Sequence, residues 1–309
     1  MGNDEWEDAW WGATPPEQLD ELSQWAASRL FDNARDFLNE GLQLLFAPAP
    51  TPSMWKLSVV AVQTAVELLA KYRLVSELGL DSVTEGKVSR SKIQTGDFHS
   101  ISYAKALQKL RHVEAFNEYD LDVIADVQRL RNKLVHFSAD VDSDQVHSIC
   151  CALLVRALCL FADGDRRDNG EMVDHRRFLT SKNYEQLVAS EAYRAEAFDF
   201  ASDSLDHDKV VRCWNCNNET LGFRSFTENY YCYCCGFSIF SDTVGFARCV
   251  HCAVDDGVYF DALNGDGKSL HHGKCGYCDE FQFVFVCPDC ESVRAVASNR
   301  RSVRCRECS

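Results

Sequence analysis

The sequence predicts a mainly α protein in two unlike parts, a helical bundle followed by a small-β tail stapled together at its cysteines. Three observations predict it. Apolar residues recur with helical period through most of the chain up to about residue 200. Thirteen of the sixteen cysteines lie after residue 212. The segments between those cysteines are short, aromatic and β-branched. The expected boundaries are an acidic segment and helix over 1–50, a helical domain over 51–205 and the tail over 210–309.

Residues 1–16 are acidic, carry Trp6, Trp10 and Trp11, and show no helical period. A first helix is expected from the prolines at 15 and 16 to "APAPTP". A second runs from Ser53, a plausible N-cap, to Gly79. Residues 80–98 are polar and read as a linker, with a shorter helix after them through "SISYAKALQKLRHVEAF". Asp120 is placed to cap "LDVIADVQRLRNKLVHF", and Asp142 or Ser143 to open a very apolar helix ending at Gly164. That helix holds Cys150, Cys151 and Cys159 as small hydrophobes. One further helix fits "NYEQLVASEAYRAEAFDFA", and "SDSLDHDK" is a polar boundary.

Composition narrows the function classes. The run "ICCALLVRALCLFA" is too short for a membrane span and is broken by Arg156. The N-terminus lacks the basic and apolar regions of a secretory signal, so a cytoplasmic protein without a membrane partner is expected. Net charge is −15, with ten acids against two bases in residues 1–50. No segment offers the broad basic surface of a general nucleic-acid binder, so any nucleic acid must be held locally or across assembled subunits.

The tail cysteines form six C-x2-C pairs: Cys213/Cys216, Cys232/Cys235, Cys249/Cys252, Cys275/Cys278, Cys287/Cys290 and Cys305/Cys308. In a chain expected to be cytosolic this spacing points to metal rather than disulfides. Two knuckles brought together by a hairpin complete a tetrahedral site of four thiolates. Taken in order the pairs give three units, 213–235, 249–278 and 287–308, which resemble zinc ribbons and imply three structural zinc ions. Cross-braced pairing is the alternative. Cys234, inside "CYCC", is a second candidate for a neighbour's place, and His251, His271 and His272 are spare donors.

Closed four-thiolate sites leave no position for a reacting ligand, so these ions replace a core that short segments cannot build. The stripe Phe281, Phe283, Phe285 fits two readings, a strand face against a neighbour or a platform for bases. Arg294, Arg300, Arg301, Arg304 and Arg306 make the last unit locally basic, either as a solvated face or as phosphate contacts. A protein or nucleic-acid target of the ribbons is thereby expected but not specified.

The helical part carries one more pattern, "QRLRNKLVHFSAD" at 128–140. Arg131 and His136 stand five residues apart with Asn132 directly after the arginine. Asn132 and His136 share a helix face, whereas Arg131 lies about 140° around an ideal helix from His136. The bland reading is a polar stripe. The segment, however, resembles the HEPN family of helical-bundle proteins, whose nuclease members carry an Arg-x4–6-His motif with a polar residue after the arginine. Arg129 is a second candidate arginine. Glu67 and Lys71 match a Glu-x3-Lys element of some members, although an ordinary i,i+4 ion pair worth about 0.2–0.5 kcal/mol explains them equally.

The resemblance spans roughly residues 53–163. It implies a HEPN-like bundle and a metal-independent endoribonuclease that leaves a 2′,3′-cyclic phosphate. It also implies a homodimer with facing motifs, and a role as a bacterial defence or toxin effector acting on RNA. The alternative is a non-catalytic HEPN protein that binds nucleotides or partners and carries the ribbons as an adaptor.

Overall fold

The computed structural model describes residues 19–86, 88–111, 122, 125, 128, 129, 131, 132, 143–163, 174–204, 210–224, 228–263, 269–296, 305, 307 and 308. The chain forms two compact units. The first comprises Met1–Asp165 with Phe178–Asn183, and the second Arg166–Arg177 with Tyr184–Ser309.

Helix α1 (Glu21–Leu45) begins later than the prolines suggested. Asp20 is its N-cap, its carboxylate accepting from the N–H groups of Leu22 at 2.8 Å and Ser23 at 2.9 Å. Ala34, Leu38, Leu42 and Leu45 form its buried stripe. Helix α2 (Pro52–Leu78) is capped by Thr51 rather than Ser53, because Pro52 fits the first helical position, where no N–H is needed. α2 buries Val59, Val62, Val66 and Leu69, the face toward α1. At the crossing, a Cβ on Gly41 would stand 3.0 Å from Val62 Cγ2, so the small residue sets the approach.

The expected linker is partly structured. A 3-10 turn (Leu80–Ser82) and a short helix α3 (Arg90–Thr95) lie within it, and Thr84 bridges to Ser100. Helix α4 (Tyr103–Leu110), capped by Ser102, and helix α5 (Ser143–Asp163) both lie against α2. Cys150, Cys151 and Cys159 are buried in α5, and burial alone pushes the Cys150 thiol up to about 12, which keeps it neutral. Among the described residues no helix is long and apolar enough to cross a membrane.

Asn39 ties the segment Phe178–Asn183 to α1. Its side-chain amide donates to the Phe178 carbonyl at 3.0 Å, and its side-chain oxygen accepts from Thr180 N–H and from the Asn183 amide, both at 2.8 Å. The single helix expected over 183–201 is two, α6 (Ser181–Ala189) and α7 (Glu191–Ser204). Ser190 breaks them, its hydroxyl accepting from Tyr193 N–H as a new N-cap at 3.4 Å. The helical domain expected to run to 205 therefore ends earlier, since the unit boundary falls within α6 and α7 belongs with the cysteine-rich part. The N-terminal helix expected as a separate segment belongs to the bundle.

The second unit contains two antiparallel meanders. The first sheet is β1 (Val211–Arg212), β2 (Glu219–Arg224), β3 (Asn229–Cys232) and β4 (Ser238–Phe240), in that order. The second is β5 (Val244–Ala247), β6 (Val258–Asp261), β7 (Leu270–Cys275), β8 (Phe281–Val286) and β9 (Val293–Val296). It curls so that Ala247 of β5 and Ala295 of β9 join one apolar cluster with Val258, Phe260 and Val284.

The α1 cap gives a first prediction. The Ser23 N–H and hydroxyl hold the Asp20 carboxyl below its ordinary range. A depressed carboxylate contributes stability above its unfolded pKa and loses it as pH falls through the folded value. Asp20→Ala is expected to cost about 1 kcal/mol at neutral pH. In paired thermal melts the gap to the parent should close as pH falls below about 4. A gap independent of pH would remove the charged cap from the account.

Candidate functional site

Five of the six cysteine pairs are described in full, and these share one local device. In each of them the N–H of the first cysteine donates to the carbonyl five residues on: Cys213 to Asn218, Cys232 to Phe237, Cys249 to Val254, Cys275 to Glu280 and Cys287 to Ser292, at 2.8–3.0 Å. The residue after the second cysteine returns its N–H to the first cysteine's carbonyl. To do so it adopts positive φ: Asn217 (64°), Gly236 (76°), Ala253 (60°), Asp279 (67°) and Glu291 (57°). The turn points both thiols to one side and aims amide N–H groups at sulfur. Asn215 N–H meets Cys213 at 3.3 Å, His251 N–H meets Cys249 at 3.3 Å, and Tyr277 N–H meets Cys275 at 3.4 Å.

The thiols gather into three groups: Cys213, Cys216, Cys232 and Cys235; Cys249, Cys252, Cys275 and Cys278; and Cys287, Cys290, Cys305 and Cys308. The grouping is sequential rather than cross-braced. Within each group the sulfurs lie within 4.8 Å of one another. Cys213–Cys235 and Cys216–Cys232 are 3.7 Å apart, Cys249–Cys278 and Cys252–Cys275 3.6 Å, Cys287–Cys308 3.7 Å and Cys290–Cys305 3.5 Å. A tetrahedron with metal–sulfur bonds of about 2.3 Å has an edge of about 3.8 Å. The residues therefore fit three closed four-sulfur metal sites.

Their surroundings differ. In the first group Cys213, Cys232 and Cys235 are buried, whereas in the third Cys290 and Cys308 are exposed and Cys305 is half-buried. Around the first site Thr220 Oγ1 lies 3.1 Å from Cys232 and the Asn215 amide 3.6 Å from Cys235. At the second, Gln282 Nε2 donates to Cys249 at 3.0 Å while Gln282 Oε1 accepts from Val250 N–H at 2.9 Å. Burial pushes the Cys249 thiol up, but the N–H groups of Cys252 and His251 and the Gln282 amide outweigh it and hold it at about 6. Sequence reasoning missed Gln282; its only signal was a polar residue inside an apolar strand.

Cys234 stands outside the first group, with the Asn218 amide donating to its sulfur at 3.2 Å. None of the spare histidines belongs to a group. His271 Nδ1 lies 2.9 Å from the Asp261 carbonyl, and the His272 ring packs against Phe283 at a tilt of 52°.

Gly236 has no tolerance for a side chain. At φ 76° an added Cβ would lie 2.5 Å from His175 Cδ2 and 2.8 Å from the His175 backbone nitrogen. His175 is itself buried, with Nε2 3.2 Å from the Tyr231 hydroxyl and its N–H bonded to the Cys235 carbonyl. Gly236→Ala is expected to cost more than about 2 kcal/mol, combining left-handed strain with displaced backbone. Ala253→Gly, at a position with the same φ sign, should stay within about 1 kcal/mol of the parent. Urea denaturation of the two variants checks the contrast; equal effects would contradict it.

In the helical unit, Asp122, Ala125, Gln128, Arg129, Arg131 and Asn132 are all helical. Arg131 Nη1 donates to Asn132 Oδ1 at 3.0 Å. Arg131 is half-buried, and its shielded Nε has no hydrogen-bond partner among the described residues. Arg129 and Asn132 are exposed. His136 lies outside the described residues.

Glu67 and Lys71 are brought together in α2. Lys71 Nζ donates to Glu67 Oε1 at 2.7 Å and to Ser100 Oγ at 3.1 Å. Lys71 is buried and Glu67 half-buried, and burial, with the Glu67 carboxylate adding, pushes the Tyr103 phenol well above its ordinary range. The pair is thus more than the surface ion pair its spacing alone implies.

Comparison with protein-family models, with curated proteins and with solved structures gives no match. Fold and sites define the chain as a helical bundle with a β-rich unit holding three tetracysteine centres.

Proposed function

We propose that this protein is a metal-independent endoribonuclease of the HEPN kind, with three structural zinc ions in its β-rich unit. The observation that carries the catalytic part is the Arg131–Asn132 hydrogen bond. It fixes one edge of a half-buried guanidinium and leaves the shielded Nε without a described partner. A fork so held suits the added negative charge of a phosphorane.

In the reaction the 2′-OH attacks the adjacent phosphorus and the bond to the 5′-oxygen breaks, giving a 2′,3′-cyclic phosphate and a 5′-OH end. His136 takes the 2′-OH proton or protonates the departing oxygen. Arg131 neutralises the phosphorane oxygens, and Asn132 holds Arg131 in place. Glu67 and Lys71 support the bundle beside Ser100 and Tyr103. Two chains pairing motif to motif would supply one histidine as base and one as acid. That pairing would also add an arginine from a second chain to an otherwise acidic protein. A homodimer is therefore part of the proposal, as is a role in bacterial defence or toxin action.

Zinc is the ion assigned to the three sites because closed tetrahedra of four thiolates suit a metal with no geometric preference of its own. It supplies crosslinking and no chemistry on RNA. The test of function is purified protein with total RNA in magnesium-free buffer, parent beside His136→Ala and Arg131→Ala. Cleavage by the parent alone supports the proposal. An intact RNA pool with all three, together with harmless expression of the parent in cells, leaves a non-catalytic binding protein.

A further inference from the structure

Two of the metal groups stand back to back, joined through Lys274. This lysine, on β7, is 4% exposed; its Nζ donates to Asn217 Oδ1 at 2.7 Å and pairs with Asp279 Oδ1 at 2.6 Å. A buried ammonium is unfavourable unless it is paired. Its two partners occupy equivalent positions. Asn217 follows Cys216 and Asp279 follows Cys278, and each closes its knuckle by donating its N–H to the first cysteine's carbonyl from a left-handed conformation. One cation therefore holds the closing residue of a knuckle in the first group and of a knuckle in the second, although Lys274 and Asn217 are 57 residues apart.

Further contacts run alongside. The N–H of Arg212, directly before Cys213, donates to the carbonyl of Gly276, directly after Cys275, at 3.0 Å. The Tyr259 hydroxyl of β6 donates to the Arg212 carbonyl at 2.8 Å. The Tyr259 ring packs against Trp214, inside the first knuckle, with centroids 5.3 Å apart. A Cβ on Gly276 would stand 2.5 Å from Val211 Cβ, so β1 lies directly on a knuckle of the second group.

We propose that the first and second tetracysteine groups bind metal cooperatively, with Lys274 as the positioning residue that couples them. The inference rests on the assignment of metal to these groups and not on the nuclease reading. Metal crosslinks a group's four sulfurs and so fixes its turns. A group without metal lets its knuckle open, and the closing residue then withdraws from Lys274. The ammonium is left with one partner, and the turn of the other group loses part of its support. Because linkage is reciprocal, metal in either group tightens binding in the other by the same factor.

The test uses the full chain loaded with zinc, a graded series of a zinc chelator, and then a short pulse of a thiol-alkylating maleimide. Peptide masses report which cysteines have been released. Removing two sulfurs of the second group, with Cys252→Ser and Cys278→Ser together, should lower the chelator concentration that releases Cys213, Cys216, Cys232 and Cys235 by roughly five- to 150-fold. At saturating zinc the weakened site still fills, so the effect shows only against the chelator. Lys274→Met should shrink that factor. Because its loss can also disturb folding, Asn217→Gly is the second variant: glycine suits the left-handed position and keeps the turn while removing the amide that Lys274 bonds. Asn217→Gly should loosen the first group when the second is intact and add little when Cys252 and Cys278 are already replaced. Release of the first group unchanged by loss of the second, or a factor untouched by both Lys274→Met and Asn217→Gly, would overturn the coupling alone. Thiols that label equally with and without zinc would overturn the metal assignment and the coupling with it.

Discussion

Cys232→Ser is expected to release one metal ion per chain and to unfold the first sheet, while Cys290→Ser releases one ion and leaves the second sheet folded. Cys232 is fully buried, closes β3 and pairs in register with Leu221 of β2. Its site is lined by buried Thr220, Cys213 and Cys235, so solvent is poorly placed to replace the lost ligand. Structural zinc contributes about 10–16 kcal/mol in small zinc-finger peptides, as much as or more than the 5–15 kcal/mol that holds a typical domain together. The sheet's remaining support includes the packing of Tyr231 against His175 and of Tyr233 against Phe200 of α7. Cys290 is exposed in a group whose other members include exposed Cys308. The five-stranded sheet beside it keeps its own apolar cluster of Ala247, Val258, Phe260, Val284 and Ala295. Metal analysis should give two ions per chain for both variants. Thermal melts should separate them, and equal destabilisation would contradict the ranking by burial.

The second large effect concerns chemistry. His136→Ala and Arg131→Ala are each expected to lower RNA cleavage by about 10²–10⁴, the usual span for removing a proton-transfer group or a charge-stabilising donor. Arg131→Lys should not rescue, because an ammonium lacks the planar fork that can bond Asn132 and a phosphate together. Asn132→Ala should fall between the parent and Arg131→Ala, since it frees the guanidinium without removing it. A fall in kcat with little change in KM is expected for Asn132→Ala, as its partner acts in the transition state. Circular dichroism and metal content should match the parent in every case. Full activity in Arg131→Ala would remove the guanidinium from the mechanism.

The tetracysteine groups were legible because the C-x2-C spacing repeats six times, and the five repeats described in full form the same turn. What the spacing did not disclose is the left-handed residue that follows the second cysteine in those five pairs. Gly236 signals it and Asn217 and Asp279 are compatible with it, but Ala253 and Glu291 are not, and there the turn's own hydrogen bonds override the preference. The inward Gln282 was hidden for a related reason: alternation predicts which residues share a face, not which face is inside, and a thiolate needing a donor decided it. In the bundle, the i,i+4 pair of Glu67 and Lys71 was visible from spacing. Ser100 beside it was not, since a contact across 29 residues depends on how the segment after α3 returns past Thr84. The break at Ser190 was missed because apolar period continues across it, and only a side-chain cap marks the new helix. In the motif proposed to cut RNA, Arg131 and Asn132 are both helical, and their mutual hydrogen bond is the addition the fold makes.

The proposal that a histidine and an arginine cut RNA without a catalytic metal is tested most directly by the ends it leaves. An end-labelled RNA should be incubated with the purified chain in magnesium-free buffer and its fragments analysed by mass. The account predicts upstream fragments ending in 2′,3′-cyclic phosphate, downstream fragments beginning with 5′-OH, and no cut where a single 2′-deoxy nucleotide precedes the scissile bond. Fragments carrying 5′-phosphate, or cleavage that persists at the 2′-deoxy position, would contradict it.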